Sequence, residues 1–246
     1  MKKITSLAIL VVMAIQLEGN AQQEPLDAVG KWLIDRTNRA ANDDLNTGRV
    51  RSPSPGSYRV IKIAELDAPD AVKAHFRTEI ARGKGGVTRV AVGTIPSVPE
   101  MLALLPRAKR SDAILRERLP SPPTNLVGTV LGAAELIGMD PSGALDGLKS
   151  SGLTRYYRLP DIGIIEFNEE NYLASGMHIE VFEEAQNVRV NGVGAQLDKR
   201  IDGQGMGQVH LSWALKGKAF SLTATGDGDV ERKARVLQEI ASGIRD

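Results

Sequence analysis

A chain of 246 residues with 31 basic and 30 acidic side chains carries a formal net charge of +1, too little to draw in nucleic acid or anionic lipid by electrostatics. It has no cysteine, which excludes a disulfide framework and a lipid-modified cysteine, so packing alone must hold it together. Aromatic residues make up only 4%, leaving little material for sugar-stacking platforms.

The N-terminus, MKKITSLAILVVMAIQLEGNAQ, places two lysines before an apolar run from Ile4 to Leu17 and then Gly19-Asn20-Ala21, the three segments of a secretory signal peptide. Residues 1–21 are expected to be removed. The apolar run is shorter than the roughly 20 residues a bilayer-spanning helix needs. Export to the periplasm or beyond is the expectation, and cleavage takes Lys2, Lys3 and Glu18, bringing the formal charge to zero.

From Asp27 to Leu45, the spacing of Val29, Trp32, Leu33 and Ala40 predicts an amphipathic helix, and NTGRVRSPSPGS at 46–57 predicts an exposed connector. YRVIKIAEL (58–66) reads as a strand. Asp70 begins a helix with Val72, Phe76 and Ile80 four apart, stopped at Gly83, and VTRVAVGTI (87–95) reads as a second strand. Strand, helix and strand in succession permit a parallel crossover pair. Ser97 and Glu100 have the spacing of a capping box ahead of MLALL. Residues 107–118 hold five basic and two acidic side chains and are expected to be a solvated helix face.

The prolines of LPSPPTN (119–125) mark a boundary. NLVGTVLGAAELIGM (125–139) sets Gly128 and Gly132 four apart on what reads as an apolar helix, packed closely against a sheet or available for self-association. After the turn-rich 140–152, LTRYYRLP, DIGIIEFN, GMHIEVFEE and NVRVNGVGAQL follow one another without room for crossover helices, which predicts an antiparallel meander. Val209, Leu211, Trp213 and Leu215 alternate with Gln208, His210, Ser212 and Ala214, the period of a half-buried strand. A turn at Lys216-Gly217-Lys218 follows, and the last helix turns Val230, Ala234, Leu237 and Ile240 inward.

VRVNGVGAQL, LSWALKGKAFSLTATGD and VLQEIASGI, within about residues 160–244, together resemble a family of bacterial extracytoplasmic domains of unknown function found in lipoproteins and anti-sigma factors. The resemblance implies a Val-Asn-Gly strand end, a Leu-x-Trp strand, a hairpin and a closing helix. It carries over no functional residue, and without a membrane helix or sigma-binding segment ahead of the match it implies no sigma-regulating role.

The Gly203, Gly205 and Gly207 cluster precedes a strand and not a helix, so it reads as a hairpin bend rather than a phosphate loop. Gly83-Lys84-Gly85-Gly86 follows a helix and reads as its stop. Asp227, Asp229 and Glu231 have the alternation of a calcium loop but lack its glycine, Arg232 standing there, and its closing carboxylate, Gln238 standing there; they read as helix-capping acids. No serine elbow, Ser-x-x-Lys pair or zinc helix is present, and His75, His178 and His210 occur singly.

One constellation remains. If Met177, Ile179 and Val181 face a core, His178 and Glu180 face away, and His210 with Ser212 face away on their own strand; if both strands join one sheet, an open polar face results. Tyr157 is the neighbouring aromatic candidate, since one of Tyr156 and Tyr157 must point away from the core. The expectation is therefore an α+β protein of four segments: the signal at 1–21, an N-terminal α/β portion at 22–118, a linker and apolar helix at 119–152, and an antiparallel β-meander covered by helices at 153–246. Its expected function is that of an exported, non-catalytic binding or protein-interaction module of the bacterial envelope, acting through His178, Glu180, His210, Ser212 and Tyr157, with no cofactor, metal or nucleic-acid partner. The alternative is a periplasmic hydrolase of an envelope polymer, with His178, Glu180 and His210 as its acid–base residues.

Overall fold

The computed structural model of the chain describes residues 27–47, 55–84, 86–105, 117–143 and 149–245. The signal segment, most of the 46–57 connector and most of the basic stretch lie outside them. In chain order the elements are α1 (Ala28–Thr47), β1 (Ser57–Ile61), α2 (Asp70–Lys84), β2 (Val87–Val90), α3 (Val98–Leu104), β3 (Glu135–Ser142), β4 (Gly152–Leu159), β5 (Gly163–Asn171), α4 (Tyr172–Ser175), β6 (His178–Phe182), β7 (Val188–Val190), β8 (Val193–Asp202), β9 (Met206–Leu215), β10 (Lys218–Asp227) and α5 (Val230–Gly243). The protein is α+β, built on an antiparallel meander.

The main sheet runs β2-β8-β9-β10-β5-β4-β3, with β7 folded back on β8. Every pairing in it is antiparallel except β2 with β8. Left-handed residues that suit tight hairpins make its turns: Asn191-Gly192 between β7 and β8, Lys216-Gly217 between β9 and β10, and Gly205 between β8 and β9. Asp202 Oδ1 accepts the amides of Gln204 and Met206 at 2.9 and 3.0 Å. The glycine cluster at 203–207 is thus the bend of a hairpin pinned by an aspartate.

Alternation along the strands gives this sheet two unlike faces. One receives α5, whose Val230, Ala234, Leu237 and Ile240 pack against Leu197, Val209, Leu211 and Leu222; each fully buried aliphatic side chain is worth roughly 1.5–3 kcal/mol. Asp229 caps α5 by accepting the Glu231 amide at 2.7 Å, the capping role expected of it, while Glu231 lies in the first turn and pairs with Lys199 and Asp227 ends β10. Ser97 and Glu100 likewise form the capping box of α3.

Four expectations are corrected. β1 and β2 do not pair with each other. β1 lies parallel to β6, across 121 residues of sequence between Ser57 and His178, and β2 joins β8. The segment GMHIEVFEE therefore leaves the meander, and β5 takes β10 as its neighbour. Residues 125–139 are not a helix: Gly128 is left-handed, a 3-10 turn spans Val130–Ala133, and β3 begins at Glu135. A Cβ at Gly132 would sit 2.5 Å from the Leu126 carbonyl, so its smallness serves a close turn. The helical face that was to support self-association through Gly128 and Gly132 does not exist.

Residues 119–125 are tied to the main sheet by Thr124. The Thr124 amide and hydroxyl donate to Glu169 Oε2 at 2.9 and 2.6 Å, and Arg155 Nη2 bonds Glu169 Oε1 at 2.7 Å and the Thr124 carbonyl at 3.1 Å. Lys218 Nζ stands 3.5 Å from the same carboxylate. This ionic knot, with Leu126 two residues on in the main core, fastens the segment to β4, β5 and β10.

A second core sits under α1 and α2, where Trp32, Phe76 and Phe182 meet edge-on or tilted at 5.1–6.2 Å between centroids. Trp32 Nε1 donates to the Asp67 carbonyl at 3.1 Å. This small layer carries the β1–β6 pair. Among the described residues, no helix is long and apolar enough to cross a membrane.

Candidate polar sheet face

The face of the main sheet turned away from α5 is polar because the alternation that points Val209, Leu211 and Trp213 at the helix points Gln208, His210 and Ser212 the other way. Register extends this across strands. Gln196, Ser212, Ser221, Asn168 and Thr154 stand opposite one another on β8, β9, β10, β5 and β4, and so do Asp198, His210, Thr223, Glu166 and Tyr156. Two rows of hydrogen-bonding side chains cross five strands. Arg200, Gln208 and Thr225 begin a third.

The rows are partly knitted together. Asn168 Nδ2 donates to Thr154 Oγ1 at 2.7 Å, Gln196 Nε2 to Asp198 Oδ2 at 2.7 Å and Gln208 Nε2 to Thr225 Oγ1 at 3.3 Å, while His210 Nδ1 meets Thr223 Oγ1 at 2.9 Å. Two hollows open over this face. A cleft of about 260 Å³ under Pro96 and Met101 exposes Glu166, Asp198, His210 and Thr223. A cavity of about 360 Å³ lies between the β1–β6 pair and the row containing Ser212, Ser221 and Asn168.

Burial shapes the ionisable groups. Desolvation lowers the His210 pKa, Asp198 opposing and Arg200 reinforcing the effect. Glu166 is raised by burial. The Tyr156 phenol is pushed up to about 12, first by desolvation and then by the charges of Glu166 and Asp140. The cleft therefore holds an imidazole whose protonation burial disfavours and a carboxyl group that gives up its proton reluctantly, roughly 10 Å apart at the backbone, two strand spacings. Such groups donate and accept hydrogen bonds to a polar ligand lying across the strands.

The residues nominated from sequence fall in four places. His210 lines the cleft and Ser212 the cavity. His178 and Glu180 do share a face of β6, opposite Ile179, but β6 belongs to the two-stranded sheet, so the face joining both histidines is not formed. His178 Nδ1 lies 2.8 Å from Ser57 Oγ, and Glu180 holds Arg36 at 3.1 Å and Arg59 at 3.6 Å. Tyr157 is buried on the α5 side of the sheet; its neighbour Tyr156 is the one on the polar face.

Glu166, Asn168, Asp198, Ser221 and Thr223 were missed. The signal was present, since the period of two applied to β8 and β10 as it was to β9 puts Gln196, Asp198 and Arg200, and Ser221, Thr223 and Thr225, on one face. No group of three or more histidine, aspartate or glutamate side chains with the geometry to hold a metal occurs among the described residues. Comparison with protein-family models, with curated proteins and with solved structures gives no match for the chain.

Proposed function

We propose that the protein is an exported, non-catalytic binding module of the bacterial envelope, taking a polar envelope component across the open face of its main sheet. The carrying observation is the pair of side-chain rows that cross five strands opposite the helix-covered face. An antiparallel sheet can leave one face to solvent, but here the uncovered face is recessed into a cleft and a cavity with converging polar groups, the form that binding sites take. Export rests on the signal-like N-terminus and on the resemblance of residues 160–244 to extracytoplasmic domains.

The test is capture of envelope material by the protein from residue 22 onward after mild crosslinking, compared with Gln208→Trp, which fills the cleft from a half-buried strand position. The expected result is a stoichiometric component retained by the parent chain and lost from the folded variant. Equal capture by both would remove the polar face from the reading.

A hydrolase of an envelope polymer is the second reading, and one contact favours it: the Ser57 hydroxyl and His178 imidazole at 2.8 Å, the distance at which a base can activate a nucleophile. Glu180 is held by two arginines, and His210 lies on the other sheet. His178→Ala abolishing turnover of an ester or glycan substrate would establish this reading in place of the first.

A further inference from the structure

The cavity between the β1–β6 pair and the main sheet has a lining of two kinds. Met177, Ile179 and Val181 project into it from β6 and the residue before it, while Ser212, Ser221 and Asn168 form its floor on the polar face. At one end stands Glu170, whose Oε1 is buried with no hydrogen-bond partner. The described residues lining the cavity include no lysine, arginine or histidine. Burial raises the pKa of Tyr58, the other ionisable group among the described lining residues, and a hydrogen bond with Gln186 opposes the shift.

A carboxyl group sequestered beside hydrocarbon without a cation is costly, and a bound cation offsets that cost. Burial raises the Glu170 pKa, and the Ser151 and Ser175 hydroxyls only partly oppose it, the response of a carboxylate whose charge is not neutralised. The volume, about 360 Å³, lies toward the lower end of the roughly 300–1,000 Å³ of small-molecule sites. A folded polypeptide segment would have to be very short to enter it.

We infer that this cavity is a site for a small amphipathic amine, with its ammonium on Glu170, its hydrocarbon part against Met177, Ile179 and Val181, and any further polar atoms on Ser212, Ser221 and Asn168. This rests on the binding-module reading and adds a ligand class to it. The charge of the ligand follows from Glu170, the one acid among the described lining residues, which include no base. Its apolar part follows from the β6 side chains, and its size from the volume.

The test is a set of titrations of the protein with octylammonium, octanol and octanoate, followed by backbone amide shifts. Octylammonium is expected to bind most tightly and octanoate least, with the shifts gathered at Glu170, Ser212, Ser221 and Ile179. Glu170→Gln should weaken octylammonium about tenfold or more while leaving octanol unchanged, the scale of a lost charged hydrogen bond. Octanoate binding as tightly as octylammonium in the parent chain would overturn the assignment, and that comparison needs no variant to fold. So would an unchanged octylammonium affinity in folded Glu170→Gln. Failure of all three probes to bind would sink the ligand class alone, because envelope capture and its sensitivity to Gln208→Trp report on the separate cleft.

Discussion

At the scale of single residues, His210 is where the candidate site is most open to measurement. Burial lowers its pKa, the Asp198 carboxylate beside it on β8 pulls it back up, and the Arg200 guanidinium pushes it further down. Replacing the two neighbours should therefore move it in opposite directions: Asp198→Asn lowers the midpoint of the His210 imidazole titration and Arg200→Gln raises it. Carbon-bound ring proton shifts followed across pH by NMR read both changes. Movement of both variants the same way would mean that repacking, and not charge, controls the ring. His210 and Ser212 were legible in the sequence because β9 alternates cleanly over ten residues. Tyr157 was misjudged because a pair of adjacent tyrosines fixes that they oppose each other without fixing which faces the helix; the answer came from the register of Tyr157 opposite Ile165 and Leu136.

At the scale of elements, local chemistry was readable and long-range pairing was not. The α5 helix is the clearest case, with Asp229 at its cap and four apolar residues on one stripe. Asp229→Ala should cost about 1 kcal/mol, the usual loss for a capping side chain, whereas Asp229→Asn should retain most of it. Chemical denaturation of the two variants separates a cap from a cation ligand, since a ligand role would make stability respond to added calcium and would not tolerate the neutral amide. The 125–139 segment shows the opposite situation. A short apolar run fits helix and strand equally by periodicity, and here the left-handed Gly128 and the pairing of Glu135–Ser142 with β4 decide it. The parallel match of β1 with β6 lies beyond any local signal, because its partners are more than a hundred residues apart and each strand alone could pair with several others.

At the scale of the whole molecule, the recessed polar face of the main sheet holds half-buried groups with opposite pH demands. Glu166 has a raised folded-state pKa. Between its unfolded value near 4.5 and that raised value the folded state binds the extra proton, so stability is complete below about 4.5 and declines as pH rises through the folded pKa. His210 is lowered from 6.5, so the unfolded state binds the extra proton and stability is lost as pH falls from 6.5 through the folded value. Removing the Glu166 charge by Glu166→Gln should raise the denaturant midpoint at pH 8 and leave it unchanged at pH 4, where both forms are neutral. The same variant should bring the Tyr156 phenol down from about 12, because the Glu166 charge is one cause of its elevation. Denaturation at the two pH values and phenol titration by NMR check the two consequences separately. A midpoint raised equally at pH 4 and pH 8 would trace the effect to packing. A rise confined to pH 8, with the phenol unmoved, would leave the desolvation of Glu166 intact while breaking its link to Tyr156 across the β4–β5 pair.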